Sequence, residues 1–368
     1  FIIMNLTDRL LLAPINNLNG EDFRESFQKI KSSDRKFFFE KIIYDKYSPI
    51  FLNYINNYKL EDLFKEKELN ELKNQSKRFQ IQNLQIIKEI IYLNQLLRKE
   101  KLNPIFLKGS AIFNEYEDVS LRPMVDIDIL IEEDRVFNAY HILKNNNFNE
   151  LRFKSHSLKD LERFSRHVHH LPELVGSSGI SIELHHRVTQ KKEFENCPLS
   201  EKIVFNKRCI DFFGEKINVP SIDDMIVHQL IHFSLNSKFI GQLRIFSDLK
   251  QIEKNHKVDW YKIFNDNKNK DIRRAISLSL EILNYNFPLT NNFNNIKHDY
   301  KRYFPNKKSF SLKYNEFLKI KKNQLPDKAI YKMRVFISLI KKKKFSEFLS
   351  LIIDWIIFKL ISIFKLKK

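Results

Sequence analysis

Met124-Val-Asp-Ile-Asp-Ile-Leu-Ile131 is the stretch that decides the fold. In an extended strand, residues i and i+2 share a face. Ile127, Ile129 and Ile131 then face the core, and Asp126 and Asp128 stand side by side on the other face, toward solvent or a cleft. Two adjacent carboxylates repel unless a cation lies between them. The pattern points to a Mg²⁺ site on a sheet edge. Just upstream, Ile105-Phe-Leu-Lys-Gly-Ser110 reads as a short apolar strand that breaks into a Gly-Ser turn. Such a turn leaves free backbone N–H groups at a helix N-terminus, and these with the Ser110 hydroxyl suit a triphosphate. Gly109 lets the backbone approach closely.

Working outward, residues 1–100 read as helices. Apolar clusters fall at helical spacing in Phe37–Tyr44 and Phe51–Ile55. Asn74–Glu100 is a long amphipathic helix with Phe79, Leu84, Ile87, Ile90, Ile91, Leu93 and Leu97 as its buried side, and Asn103-Pro104 ends it. Residues 101–220 form an α+β module. Ile105–Leu107 is a strand, Ser110–Tyr116 a short helix and Asp126–Ile131 a strand. Asp134 caps a helix running to about Asn145. His167–Leu171 and Ile180–His186 are further strands, joined through Gly176-Ser-Ser-Gly179. Residues 221–290 return to helices, opened by the N-cap Ser221-Ile-Asp-Asp224. The Asn-rich 291–295 stretch is a linker, and 291–368 is a basic, helical C-terminal region. The expected fold is α+β, a small mixed sheet flanked by N-terminal and C-terminal helical regions.

The chain of 368 residues is long enough for two or three domains, and 43% hydrophobic with 30% charged residues is a globular balance. The net charge of +19 favours anionic ligands, whether nucleotides, nucleic acid or an acidic membrane surface. Heavy use of Lys, Asn, Ile and Phe fits an AT-rich coding sequence and discounts that charge as evidence of function. There is no Arg-rich block, zinc-finger spacing or RNP-type aromatic motif, so nucleic acid is not singled out. Cys197 and Cys209 are the only cysteines, which suits a reducing cytoplasm and excludes a disulfide framework. No signal peptide is read in Phe1–Asp8.

A third element joins the first two. In Ser181-Ile-Glu-Leu-His185, Ile182 and Leu184 face the core, and Glu183 and His185 share the other face with Ser181. A third acid on a neighbouring strand completes the ligands of a two-metal site, in which one ion holds the triphosphate and the other lowers the pKa of an acceptor hydroxyl.

Lys108-Gly109, Arg122, the Asp126/Asp128 pair and Glu183-x-His185 together resemble the nucleotidyltransferase superfamily with a DNA polymerase β-like palm. Within it they resemble a large bacterial nucleotidyltransferase group long labelled uncharacterised. Ile231-His232, Arg244…Asp248 and Asp259-Trp260 are similar too, so the resemblance spans roughly residues 35–290. It implies a Mg²⁺- or Mn²⁺-dependent enzyme that transfers an NMP group from an NTP to an acceptor and releases pyrophosphate. Asp126 and Asp128 would hold both ions, and Glu183 would be the third ligand or the base near the acceptor. Gly109 and Ser110 would bind the β/γ-phosphates, and Lys108 and Arg122 would counter phosphate charge. For Arg122 an ion pair orienting Asp126 or Asp128 stands as an equal reading. His185 is a possible neighbour of the ligands.

His167, His169, His170, His185 and His186 tempt a metal reading, but strand alternation splits them and zinc spacing is absent. His232 reads as a hydrogen-bonded core histidine, and Arg244 with Asp248, at i and i+4, as a helix pair. In the tail, Lys341–Lys344 precede the apolar Phe345–Leu366, which Glu347, Asp354 and Lys359 interrupt. It falls short of a membrane span. Docking on the protein's own core, interfacial membrane binding and a partner surface remain open. Two other functions stay in view: a toxin-like transferase acting on tRNA or protein, and a non-catalytic, membrane-associated binding protein that keeps the palm.

Overall fold

The alternation at 126–131 is realised as a strand, but at the centre of a sheet rather than its edge. The structure, a computed structural model, describes residues 6–151, 157–166, 168–189, 198–236, 243–269 and 272–280, the last without 274 and 278. Its seven strands are β1 (Ile105–Phe106), β2 (Asp126–Leu130), β3 (Asn149–Glu150), β4 (Leu174–Val175), β5 (Ser181–His185), β6 (Arg208–Phe212) and β7 (Glu215–Val219). They form one sheet in the order β3-β4-β5-β2-β1-β7-β6. The β2–β5 and β1–β7 pairs are parallel and the rest antiparallel, so the sheet is mixed.

Ile127, Ile129 and Ile131 are buried, as alternation requires, but Leu130 and Asp128 on the opposite face are buried too. The long helix Glu66–Lys99 and the helical turn Lys108–Ile112 pack against β2. Of the two placements expected for the aspartates, solvent or a cleft, the burial fits the cleft. Asp126 is partly exposed, and Asp128 is 2% exposed.

Six α-helices within residues 6–99 precede the sheet's first strand, and further helices follow its last. The helix Glu66–Lys99 starts earlier than expected. Its buried stripe runs through Phe79, Asn83, Ile86, Ile87, Ile90, Leu93, Asn94 and Leu97, at steps of three and four. Leu84 lies off that stripe and is 56% exposed, against expectation. Asn83 takes the inward position instead.

Ser221 caps Ile222–Ile231 as expected, its side chain accepting from the Asp224 N–H. The helix Val136–Asn145 has Arg135, not Asp134, at its N-cap position, with no side-chain cap. The expected strand at 167–171 reduces to one bridge, His170 to His185, with the Leu171 N–H donating to the Leu184 carbonyl at 2.8 Å; His167 lies outside the described residues. β6 and β7 form a hairpin that was not expected. Phe213 (φ 53°) and Gly214 (φ 83°) turn it, both left-handed, as a two-residue hairpin requires.

The described residues belong to one compact unit spanning 1–151 and 157–320. A second unit, 152–156 with 321–368, lies outside the described residues, as do the expectations for 291–368 and Cys197. Among the described residues, no helix is long and apolar enough to cross a membrane.

Candidate metal and nucleotide site

The parallel register of β2 on β5 builds the site. It sets Asp126 beside Ser181, Asp128 beside Glu183 and Leu130 beside His185. Glu183 is therefore an interior-strand neighbour of Asp128, not an edge charge. Lys108, one residue beyond Leu107, whose N–H donates to the Asp128 carbonyl at 2.9 Å, reaches back over the same acids. Its Nζ donates to Asp128 Oδ1 at 2.7 Å and lies 3.9 Å from Glu183 Oε2. His185 Nε2 donates to the same Asp128 oxygen at 2.8 Å and lies 3.3 Å from Glu183 Oε2. Facing two acceptor-only carboxylates, that nitrogen must carry the proton.

Burial disfavours every charge in this group, but the opposite charges win. Burial opposes Asp128, yet Lys108 and His185 hold its carboxyl well below the usual range. Burial likewise opposes Glu183, which the His185 hydrogen bond brings below its ordinary value. Lys108 and His185 are raised against burial by the same two acids. Asp128, Glu183 and His185 present ligand atoms that all lie within 4.8 Å of one another.

Asp126 differs. It has no hydrogen-bond or ion-pair partner among the described residues, and burial, then the Asp128 charge, pushes its pKa up to about 6. Ser110 Oγ is also alone, buried at 1% exposure with no partner among the described residues. Gly109 does not offer the expected open approach on its side-chain face. A Cβ there would meet Met124 Cγ at 3.4 Å and an Arg122 nitrogen at 3.7 Å, ordinary contact distances, so these two residues line that face of the turn.

Arg122 is spoken for. Nε donates to Asp248 Oδ1 at 2.7 Å, a terminal nitrogen donates to Asp248 Oδ2 at 3.0 Å, and the other donates to the Pro123 carbonyl at 2.6 Å. The ion pair considered for Arg122 thus exists, with Asp248 and not with Asp126 or Asp128. The expected Arg244–Asp248 helix pair is absent for the same reason. Asp248 also accepts from Tyr116 Oη at 2.7 Å, and Arg244 donates to the Pro123 carbonyl at 2.9 Å.

Asn83 and Lys46 escaped the sequence reading, and Arg244, named there as a helix partner of Asp248, has a different role. Asn83 gives its amide hydrogens to the Val119 and Arg122 carbonyls (2.6 and 3.0 Å) and accepts from the Met124 N–H at 3.0 Å, which fixes the segment leading into Asp126. An asparagine at a stripe position of an amphipathic helix was the available signal. Arg244 has a pKa lowered to about 10 by burial, then by Arg122, and its charge favours ionised Asp126. Lys46, whose pKa burial lowers first, feels Asp126 as well, and nothing in its local sequence marks it. Around the acids, the rings of His169 and His170 lie 5.2 and 5.5 Å from that of His185. Burial keeps His169, His228 and His232 neutral, with His169 at about 2 and His232 at about 4.

A paired-acid strand, a neighbouring acid in register and a lysine-glycine-serine turn thus meet at one place in the fold. The chain belongs to the uncharacterised nucleotidyltransferase family, whose profile matches residues 32–288. That membership places it among transferases of nucleotidyl groups. Among solved structures it is similar to an antigenic nucleotidyltransferase-like protein from Paracoccidioides brasiliensis, at 14% identity and a TM-score of 0.33, covering 58% of this chain and 92% of that one. No curated protein matches.

Proposed function

We propose that the protein transfers an NMP group from an NTP to an acceptor with release of pyrophosphate, using divalent metal held by Asp126, Asp128 and Glu183, in the manner of a DNA polymerase β-like palm. The observation that carries this reading is the β2–β5 register, which sets Glu183 beside Asp128 on the face that also bears Asp126.

The residues present fit a divalent ion. Asp126 has no hydrogen-bond or ion-pair partner among the described residues, and the Asp128 and Glu183 carboxylates converge. When bound, such ions neutralise triphosphate charge and activate the acceptor hydroxyl. Glu183, 17% exposed in its side chain, is the acid best placed to take the acceptor's proton if it is not a ligand. Ser110 Oγ, buried and without a partner among the described residues, is the hydroxyl that a phosphate oxygen would meet. Lys108 is the cation that meets phosphate charge. Arg122 instead braces the loop through Asp248 and acts on the nucleotide only through that brace. Mg²⁺ or Mn²⁺ suits an oxygen-rich set.

The test is incubation of the full chain with Mg²⁺ or Mn²⁺ and each α-labelled NTP, with pyrophosphate release as the readout. Label found on a small hydroxyl compound, on tRNA or on protein identifies the acceptor class. No release with any NTP and either ion, from folded protein offered all three acceptor classes, rejects the reading.

A further inference from the structure

We propose that Lys108 is a resident cation that holds the Asp128 and Glu183 carboxylates together in the metal-free protein, gives up its place to an incoming divalent ion, and moves to the triphosphate. The inference rests on the nucleotidyl-transfer reading and assigns the order in which its site is loaded.

Two adjacent buried carboxylates cannot remain ionised without a counter-charge. In the protein that charge is Lys108, whose Nζ lies 2.7 Å from Asp128 Oδ1 and 3.9 Å from Glu183 Oε2. His185 Nε2 bonds the same Asp128 oxygen at 2.8 Å. One carboxylate oxygen with two donors already on it has little room for a metal, so an ion that takes it must displace one of them. His185 is wholly buried and fixed on β5. Lys108 is 22% exposed in its side chain and carries its ammonium on four methylenes. Lys108 is the donor able to leave.

The backbone supports a purpose for this lysine. Lys108 has φ 48°, a conformation that L side chains adopt at a cost. Lys46, Lys59 and Lys101 share it, but each closes a helix, where a left-handed residue is common. Lys108 instead follows strand β1 and opens the turn Lys108–Ile112. The neighbouring Gly109, which would adopt φ > 0 freely, does not occupy that conformation. Strain is placed on the residue whose side chain returns to β2. Two residues on, Ser110 Oγ is buried without a partner among the described residues, so the turn that carries the ammonium also offers a hydroxyl to the same phosphate.

The experiment measures Mn²⁺ binding alone, by calorimetry, to the full wild-type chain and to Lys108→Met. It then measures binding of a non-hydrolysable NTP analogue at saturating Mn²⁺. With the competing ammonium gone, Lys108→Met binds Mn²⁺ about tenfold or more tighter and the analogue about tenfold or more weaker. A merely structural lysine would not produce the first change. Equal or weaker Mn²⁺ affinity in the variant overturns the role of Lys108, and leaves nucleotidyl transfer standing if wild type still releases pyrophosphate. Absence of Mn²⁺ binding by both proteins overturns both. Should Lys108→Met not fold, wild type decides. Acylation of Lys108, followed by mass spectrometry, rises when Mn²⁺ is added alone and falls again with the analogue. Labelling that Mn²⁺ leaves unchanged at millimolar concentration overturns the proposal.

Discussion

Two buried ionic clusters flank the short segment from Arg122 to Asp128, and they are built to different ends. In one, Arg122 uses all three guanidinium nitrogens, two on Asp248 and one on the Pro123 carbonyl, and Tyr116 adds a third hydrogen bond to Asp248. Every charge is matched within the cluster. In the other, Lys108 and His185 crowd onto one oxygen of Asp128, while Asp126, Ser110 Oγ and His185 Nδ1 have no partners among the described residues. Burial and charge are common to both. What separates the two clusters is incomplete pairing, since an unmatched buried group is costly unless a ligand completes it.

The largest way to break the comparison is at Asp126. Asp126→Asn should reduce NTP turnover by about 10³-fold or more, because the proposed metal site loses one of its charges. The metal-free variant should nonetheless be more stable than wild type at pH 7, by about 1 kcal/mol or roughly 2–4 °C in Tm. The sign follows from linkage. Asp126 in the folded protein keeps its proton up to about pH 6, whereas the unfolded carboxyl loses it near pH 4. Its contribution is favourable below the unfolded value and is lost as pH rises through 6. The variant's advantage should therefore be present at pH 7 and vanish near pH 4. Thermal melts at both pH values check this, and a destabilised variant at pH 7 would mean that Asp126 has a partner after all.

The matched cluster should respond in the opposite sense. Asp248→Asn strands the Arg122 guanidinium in a site where the pair is 8% and 2% exposed, and breaking such a pair costs about 3–5 kcal/mol. Urea unfolding measures it. Arg122→Met combined with Asp248→Leu should recover most of the loss, since an apolar pair of similar volume needs no counter-charge. Failure to recover would show that Tyr116 or the Pro123 carbonyl carries more of the brace than the ion pair does.

The sequence exposed the reactive cluster better than the brace, and the reason is range. Asp126, Asp128, Glu183 and His185 lie on strands whose two-residue alternation fixes their face, so local pattern was enough to group them. That β2 is central, and that Asp128 is buried, depended on strands from residues 149 to 219, which include two-residue pieces such as Asn149–Glu150 too short to show a period. The brace joins residues 126 positions apart. With Arg244 four residues from Asp248, the local helix pair looked sufficient, and nothing local indicates that Arg122 competes for the same carboxylate. The β6–β7 turn is hard to read in Phe213-Gly214, because a phenylalanine in a left-handed turn position is rare.

A smaller effect tests how the helical layer holds the segment between the clusters. Asn83→Ala removes three hydrogen bonds and leaves the Val119 and Arg122 carbonyls and the Met124 N–H without that partner. The expected cost is about 1–3 kcal/mol. Turnover should fall as well, because the segment through Met124 that leads into β2 loses its anchor. Hydrogen exchange of the Met124 amide should rise while that of Ile129, deep in the sheet, stays slow. Uniform loss of protection would make Asn83 a general core residue rather than a clamp on this segment.

The smallest effect is expected one residue further along. Leu84 belongs to the apolar side if hydrophobicity alone is followed, but it is 56% exposed because the buried stripe passes through Asn83 and Ile87. Gln has nearly the helix propensity of Leu, and an exposed substitution away from special features changes stability by no more than about 0.5 kcal/mol. Leu84→Gln should therefore be neutral in urea unfolding. Ile90→Ala, on the stripe and fully buried, should cost about 2–5 kcal/mol in the same assay. The pair of measurements separates two accounts of this helix. If its apolar residues act by composition, both variants destabilise. If the clamp at Asn83 sets which face turns inward, only Ile90→Ala does, and a polar residue will have decided the orientation that delivers Asp126 to its site.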